Sequence, residues 1–181
     1  MLYYITSNQN KIAVAKKYLE PFGIVFRSRN LDLTEIQSHD IRQVVEGKAK
    51  EAFRIIKKPL FVNDHFWSIP ALNGFPGAYM KHINGWFTPE DFLRLMKDKP
   101  NRDAILTEAV CYIDKNHLQT FTMQIKGTIL EKPQGKGLPA LTVISLSGDG
   151  QSIAKKLEKD VSAAATHRIW GEFAEFYKQN S

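Results

Sequence analysis

The chain opens on an apolar, β-prone run, Leu2-Tyr3-Tyr4-Ile5, that stops at Ser7-Asn8, residues suited to turns and helix N-caps. From about Asn10, apolar Ile12, Ala13, Val14, Ala15, Tyr18 and Leu19 interleave with Lys11, Lys16 and Lys17 at helical spacing, and Pro21 with Gly23 ends that helix. Ile24-Val25-Phe26 predicts a short second strand, after which Asn30 to Asp40 is polar and irregular. Ile41, Val44, Val45, Ala49, Ala52, Phe53 and Ile56 predict a second helix from Asp40 or Ile41 to about Ile56. Pro59-Leu60-Phe61-Val62 reads as a buried strand with Asn63-Asp64 at its carboxyl end.

Two glycines and a proline force turns in Ala71-Leu72-Asn73-Gly74-Phe75-Pro76-Gly77-Ala78-Tyr79. Thr88-Pro89-Glu90-Asp91 is a helix start, with an N-cap, a proline at the first helical position and acids in the first turn. Ala104 to Asp114 and Leu118 to Leu130 predict two strands joined by Lys115-Asn116-His117 as an antiparallel hairpin. Gly135-Lys136-Gly137 predicts a loop, Leu141 to Leu146 a strand, Ser147-Gly148-Asp149-Gly150 a turn, and Gln151 to Glu158 and Ala163 to Tyr177 two closing helices. The order βαβαβ, then helix, hairpin and helices, points to an α/β protein with a mixed sheet.

With 181 residues, 43% hydrophobic and 24% charged, the chain can build a real core as one domain, or at most two small lobes sharing a sheet. No apolar run is long enough to span a membrane and the start lacks a signal-peptide pattern, so a cytoplasmic protein with no membrane partner is expected. Cys111, the single cysteine, lies in an apolar run and is expected as a small buried residue. The formal charge of +6 and pI of about 9.3 fit nucleic-acid binding only if the basic residues cluster. They are instead spread as pairs (Lys16-Lys17, Lys57-Lys58, Lys155-Lys156), so no nucleic-acid partner is expected.

Four polar positions could carry chemistry. Thr6-Ser7-Asn8-Gln9-Asn10-Lys11, between the first strand and the first helix, offers free backbone N–H groups, a positive dipole end and the Lys11 ammonium to an anion. The competing reading of Ser7 or Asn8 is a plain N-cap. Glu35 and Asp64, from separate segments, are the two hard-oxygen donors that a Mg²⁺ site for phosphate chemistry uses, against a surface acid and a turn residue as the bland alternatives. Thr166-His167-Arg168, near Trp170 and Phe173, suits a phosphate or a base edge, or simply a half-buried His beside a solvated Arg.

In this order these segments resemble the inosine triphosphate pyrophosphatase family, which hydrolyses non-canonical purine nucleoside triphosphates to monophosphate and pyrophosphate. Thr6-Ser7-Asn8-Gln9-Asn10-Lys11 is similar to the family's T-[GS]-N-x-x-K, and Leu33-Thr34-Glu35-Ile36-Gln37, Lys48-Ala49 and Val62-Asn63-Asp64 follow in place. Ala71 to Tyr79 resembles its A-L-x-G-x-P-G-x-Y turn, and Thr166-His167-Arg168 its closing S-H-R. The resemblance implies an elongated mixed central sheet flanked by helices, two lobes around a nucleotide cleft, a homodimer and a Mg²⁺ cofactor. It further implies that Thr6, Ser7, Asn8, Lys11 and Lys48 contact the triphosphate, that Lys11 and Asp64 act in catalysis, that Glu35 and Asp64 hold metal, and that His167 and Arg168 face the purine.

The chain departs from the family in three places. Asn63 stands where a second acid is usual, with His65-Phe66-Trp67 after Asp64 in place of a Ser/Thr-Gly-Leu stretch. Leu138 to Thr142 lacks the aromatic and acidic residues that stack on and frame the base, leaving Phe66 or Trp67 as replacements. Ser162 replaces a lysine. The expected function is Mg²⁺-dependent nucleoside triphosphate pyrophosphohydrolysis with altered base preference; the alternative is a catalytically weakened nucleotide-binding or dimeric interaction protein of the same fold.

Overall fold

The computed structural model describes residues 1–34, 36–146, 148–160 and 167–180. Strands β1 (Leu2–Ile5), β2 (Phe26–Arg29) and β3 (Leu60–Ile69) form the parallel part of a mixed seven-stranded sheet, with β1 between the other two. Helix α1 (Gln9–Leu19) joins β1 towards β2 and runs into a 3-10 turn over Glu20–Phe22. That turn ends on Gly23, whose φ of 71° suits glycine. β2 lies two residues later than the apolar run suggests. Ile24 is buried and its N–H closes the helix end on Leu19 O at 3.2 Å, and Val25 is 77% exposed, so the polar segment Phe26–Arg29 takes the edge-strand position.

Helix α2 (Ile41–Ile56) starts where Asp40 caps it, its side chain accepting from Arg42 N, and turns Ile41, Val44, Val45, Ala49 and Ala52 inward. β3 corrects the sequence reading. Asn63-Asp64 lies in the middle of a ten-residue strand, which has β5 (Asp103–Ile113) as its other sheet neighbour and whose last three residues pair with the antiparallel β4 (Phe75–Gly77), Trp67 standing opposite Gly77.

The turn-rich segment before β4 contains a 3-10 turn, Pro70–Leu72, with Asn73 at φ 54° and Gly74 at φ 89°. Helix α3 (Met80–Trp86) has no counterpart among the predicted elements. Helix α4 (Pro89–Leu95) begins at the expected capping box of Thr88 and Asp91. β5 (Asp103–Ile113) and β6 (Leu118–Ile129) are sheet neighbours, their connection held by Asn116 and His117 N–H groups donating to Asp114 Oδ1 at 2.7 Å each.

The strand expected over Leu141 to Leu146 is instead helix α5 (Pro139–Val143) followed by the two-residue β7 (Ile144–Ser145). Pro139 pre-sets the first helical position and Thr142 Oγ1 donates back to Pro139 O at 2.7 Å, so only the last two residues reach β6. Helix α6 (Ile153–Leu157) is capped by Ser152, and α7 (His167–Asn180) ends beyond the predicted Tyr177. The predicted start of that helix at Ala163 lies outside the described residues.

Contacts divide the chain into two units. The first contains Met1–His65, Glu108–Met123 and α7. There α1 and α7 cover one sheet face, Ile12, Ala15, Leu19, Ile169, Trp170 and Phe173 meeting Leu2, Tyr4, Phe61, Val110 and Tyr112. Tyr4 stacks on Phe61 at 4.4 Å between centroids and Phe61 meets Phe173 at 4.9 Å, contacts that add about 0.5–1.5 kcal/mol per pair beyond area burial. The second unit has its own core of Trp67, Ile69, Ile83, Phe92, Leu106 and Val143 among others. Cys111 is fully buried in the first unit, and burial pushes its thiol up to about 11, as expected of an inert core cysteine.

Candidate active site

Tyr4 stands opposite Phe61 across the parallel β1/β3 pair. One residue later β1 ends, while β3 continues, so Asn63 and Asp64 follow in register with the Thr6-Ser7 loop. That loop is shaped by its own hydrogen bonds. Thr6 N–H donates to Arg29 O at 2.9 Å, and Thr6 Oγ1 accepts from Asn8 N at 3.2 Å. Asn8 Oδ1 accepts from the Asn10 and Lys11 amides at 2.9 and 3.2 Å, so Asn8 is the α1 N-cap and its carboxamide oxygen is used in the fold. Ser7 is exposed.

The first turn of α1 holds no acid, and it carries Lys11, a charge sign that the positive end of a helix dipole disfavours. The lysine is compensated across the sheet. Lys11 Nζ donates to Asn63 O at 3.1 Å and lies 3.5 Å from Asp64 Oδ1. Lys48, from the middle of α2, reaches the other carboxylate oxygen, Oδ2, at 2.7 Å. The His65 amide closes the set on Oδ1 at 3.0 Å.

These side chains are partly buried, at 22% for Lys11, 14% for Lys48 and 23% for Asp64, so their charges interact through a medium less screening than water. Burial by itself raises the Asp64 pKa, but the charges of Lys11 and Lys48 outweigh it and hold the carboxyl well below the usual carboxylate range. Asp64 is therefore an anion at neutral pH, held between the Lys11 and Lys48 ammonium groups. Such an arrangement can accept a polyanion whose oxygens exchange places with the carboxylate at the lysines.

Three of the predicted site residues thus converge: Lys11, Lys48 and Asp64. Glu35 lies outside the described residues. Its neighbours are anchored along α2 on either side of Lys48: Thr34 N–H donates to Glu51 Oε2 at 3.1 Å, and Ile36 lies on Gly47, where an added Cβ would meet Ile36 Cδ1 at 3.2 Å. His167 opens α7, and its side chain also lies outside the description. Arg168 does not join the ion-paired cluster; it is exposed and pairs with Glu172 one turn on, at 3.4 Å. Phe66 and Trp67 are not available to stack on a base, being 9% and 2% exposed, and Trp67 belongs to the core of the second unit.

The sequence reading missed a second feature beside Asp64. Tyr4 is fully buried, and its hydroxyl donates to Asn63 Oδ1. Burial, followed by the negative charges of Glu108 and Asp64, raises the Tyr4 pKa well above its ordinary value, so it is a permanent donor. Inside an apolar run Tyr4 reads as core. Only the register of β1 against β3, which brings its hydroxyl to Asn63, reveals a polar role.

Comparison with known proteins matches this fold and these segments. The model of the Ham1 family matches residues 2–169. A dITP/XTP pyrophosphatase of Thermococcus kodakarensis is 28% identical over 181 residues, covering 99% of this chain and 98% of that protein. One of Methanopyrus kandleri is 30% identical over 180 residues, covering 98% and 96%. Among solved structures, a HAM1 protein from Coxiella burnetii superposes with a TM-score of 0.81 at 16% identity, over 99% of this chain and 100% of that one, a likeness of fold.

Proposed function

The chain belongs to the Ham1 family and is by that membership a nucleoside triphosphate pyrophosphatase, and we propose that it hydrolyses a non-canonical purine nucleoside triphosphate at the Lys11–Asp64–Lys48 cluster. The observation that carries this reading is the convergence of two lysines from different helices on one ionised strand carboxylate. Lys11 and Lys48 bind the phosphate chain and neutralise charge developing on its oxygens as water attacks phosphorus and pyrophosphate leaves. Asp64, an anion throughout, orients the attacking water or takes part in metal binding. No covalent nucleophile is needed, and the buried Cys111 offers none. The base preference follows the names of the relatives, dITP and XTP, and a purine would be framed without Phe66 or Trp67.

The donor set fits a divalent cation that arrives with the phosphates. Among the described residues no three metal-ligating side chains converge. Asp64 is a hard carboxylate of the kind Mg²⁺ uses one or two of, the rest of its shell being water and phosphate oxygen. Asp64 together with Glu35 would hold it, and when bound it supplies Lewis-acid stabilisation of the phosphate oxygens. We further propose that the protein is a cytoplasmic homodimer, and that His167 and Arg168 serve the base. No described helix is long and apolar enough to cross a membrane.

A screen of inosine, xanthosine, canonical and deoxy triphosphates, with and without Mg²⁺, tests the reading. Turnover of inosine or xanthosine nucleotides that requires the metal is the expected result; metal-independent turnover, or none on any nucleotide, would refute it.

A further inference from the structure

Asn63 stands where an acid was expected, which suggests a weakened metal site; its surroundings support a different role. Side chains alternate along a strand, so Asn63 shares the face of Phe61, the face covered by α1 and α7, while Asp64 points to the other. Tyr4, stacked on Phe61 and shielded from solvent, aims its hydroxyl at Asn63 Oδ1. A buried hydroxyl hydrogen needs an acceptor, and among the described residues Tyr4 has no other. Rotating the amide by half a turn would set NH₂ against that hydrogen and orphan it. The oxygen is therefore fixed towards Tyr4, and the two Nδ2 hydrogens face away.

Those hydrogens have no partner among the described residues, and Nδ2 is not among the sealed, unsatisfied polar atoms, so it reaches solvent. The same residue's backbone oxygen holds Lys11 Nζ at 3.1 Å. One point of β3 thus carries an amide N–H donor beside an ammonium. A carboxylate at this position could not donate, and would add negative charge on the face that Glu108 shares with Val110 and Tyr112.

We propose that Asn63 is a phosphate-contacting residue, its Nδ2 donating to an anionic oxygen of the triphosphate chain beside Lys11, and that Tyr4 is its positioning residue. The inference rests on the function proposed above and assigns position 63 a donor rather than a lost metal ligand.

The test measures binding of inorganic tripolyphosphate, without metal, by calorimetry to the full chain and to Asn63→Ala, Asn63→Asp, Asn63→Ser and Tyr4→Phe, with melting temperature and pyrophosphate release followed in parallel. A charge-assisted hydrogen bond lost is expected to raise Kd about 10-fold in Asn63→Ala and more in Asn63→Asp, with partial rescue by the Ser hydroxyl. Tyr4→Phe should raise Kd a few-fold, through free rotation of the amide. Unchanged Kd in Asn63→Ala and Tyr4→Phe, with only the melting temperature lowered, would overturn the proposal. So would Asn63→Asp that binds as the parent or turns over faster with Mg²⁺, the result expected of a restored metal ligand. If the parent chain binds tripolyphosphate with the expected variant pattern but hydrolyses no nucleotide, the proposed reaction fails and the Asn63 contact stands; no binding by the parent chain, with pyrophosphate release intact, refutes the Asn63 contact and leaves the reaction standing.

Discussion

Replacing Asp64 by Asn keeps the shape of the side chain and removes its charge, so it separates the electrostatic role of this residue from its packing. The carboxylate takes three donors: Lys48 Nζ at 2.7 Å, His65 N at 3.0 Å and Lys11 Nζ at 3.5 Å. An amide has one acceptor oxygen and turns N–H towards whatever faced the other. At least one lysine contact is lost, and two partly buried cations face each other without the anion. Surface pairs are worth up to about 1 kcal/mol and buried ones cost about 3–5 kcal/mol to break. At 14–23% exposure the cost falls between these limits, at about 2 kcal/mol. For a chain of this length that lowers Tm by about 4–8 °C in a calorimetric or dye-based melt.

The same substitution makes the pocket more positive, so a triphosphate should stabilise Asp64→Asn by at least as much as it stabilises the parent chain. Hydrolysis, which needs the carboxylate, should disappear. Asp64→Asn that melts like the parent chain, or that still turns over nucleotide, would refute the assignment of Asp64 as the anion that balances the two lysines.

Further outcomes follow from the same geometry. Because the folded-state pKa of Asp64 is depressed, its stabilisation is complete above the unfolded carboxylate value and is lost progressively as pH falls from there towards the depressed folded value. The Tm gap between parent and Asp64→Asn should therefore be full near pH 6 and shrink steadily as pH is lowered below about 4, a gap independent of pH being the contrary result. Lys11→Met should weaken triphosphate binding about 10-fold and steepen no salt dependence, since it removes one phosphate-facing charge; an unchanged Kd in titration calorimetry would place the phosphates elsewhere. Thr88→Ala, at the α4 capping box in the second unit, should cost about 1 kcal/mol in denaturant melts and leave hydrolysis untouched.

Much of this architecture was legible because its signals are local. Asn8, Asp40 and Thr88 each cap a helix at or within a residue or two of the position their chemistry suggests. Where an element depends on a distant partner, the local signal fails. β3 runs on through Asn63-Asp64-His65 because it lies beside the distant β5 and meets β4 at its last three residues, although the polar triplet reads as an ending. Leu141 to Leu146 has strand-like composition, but Pro139 starts a helical turn that uses most of it. The seven-residue α3, with Gly85 near its end, is too short to show a helical period.

The site divides the same way. Lys11, Lys48 and Asp64 were found through short motifs, and the fold brings them together. Arg168 was assigned to the purine by motif, and on its own helix it pairs with Glu172, while Phe66 and Trp67, which look available in sequence, are claimed by packing. Tyr4 and Asn63 carried no sequence signal as a pair, since their meeting depends on strand register.

The central claim is tested most directly by the identity of the phosphorus products. Phosphorus NMR of the chain incubated with inosine or xanthosine triphosphate and Mg²⁺ should show nucleoside monophosphate and pyrophosphate appearing in equal amounts, with both signals absent for Asp64→Asn. Orthophosphate with nucleoside diphosphate, or product formation that survives loss of Asp64, would contradict the account.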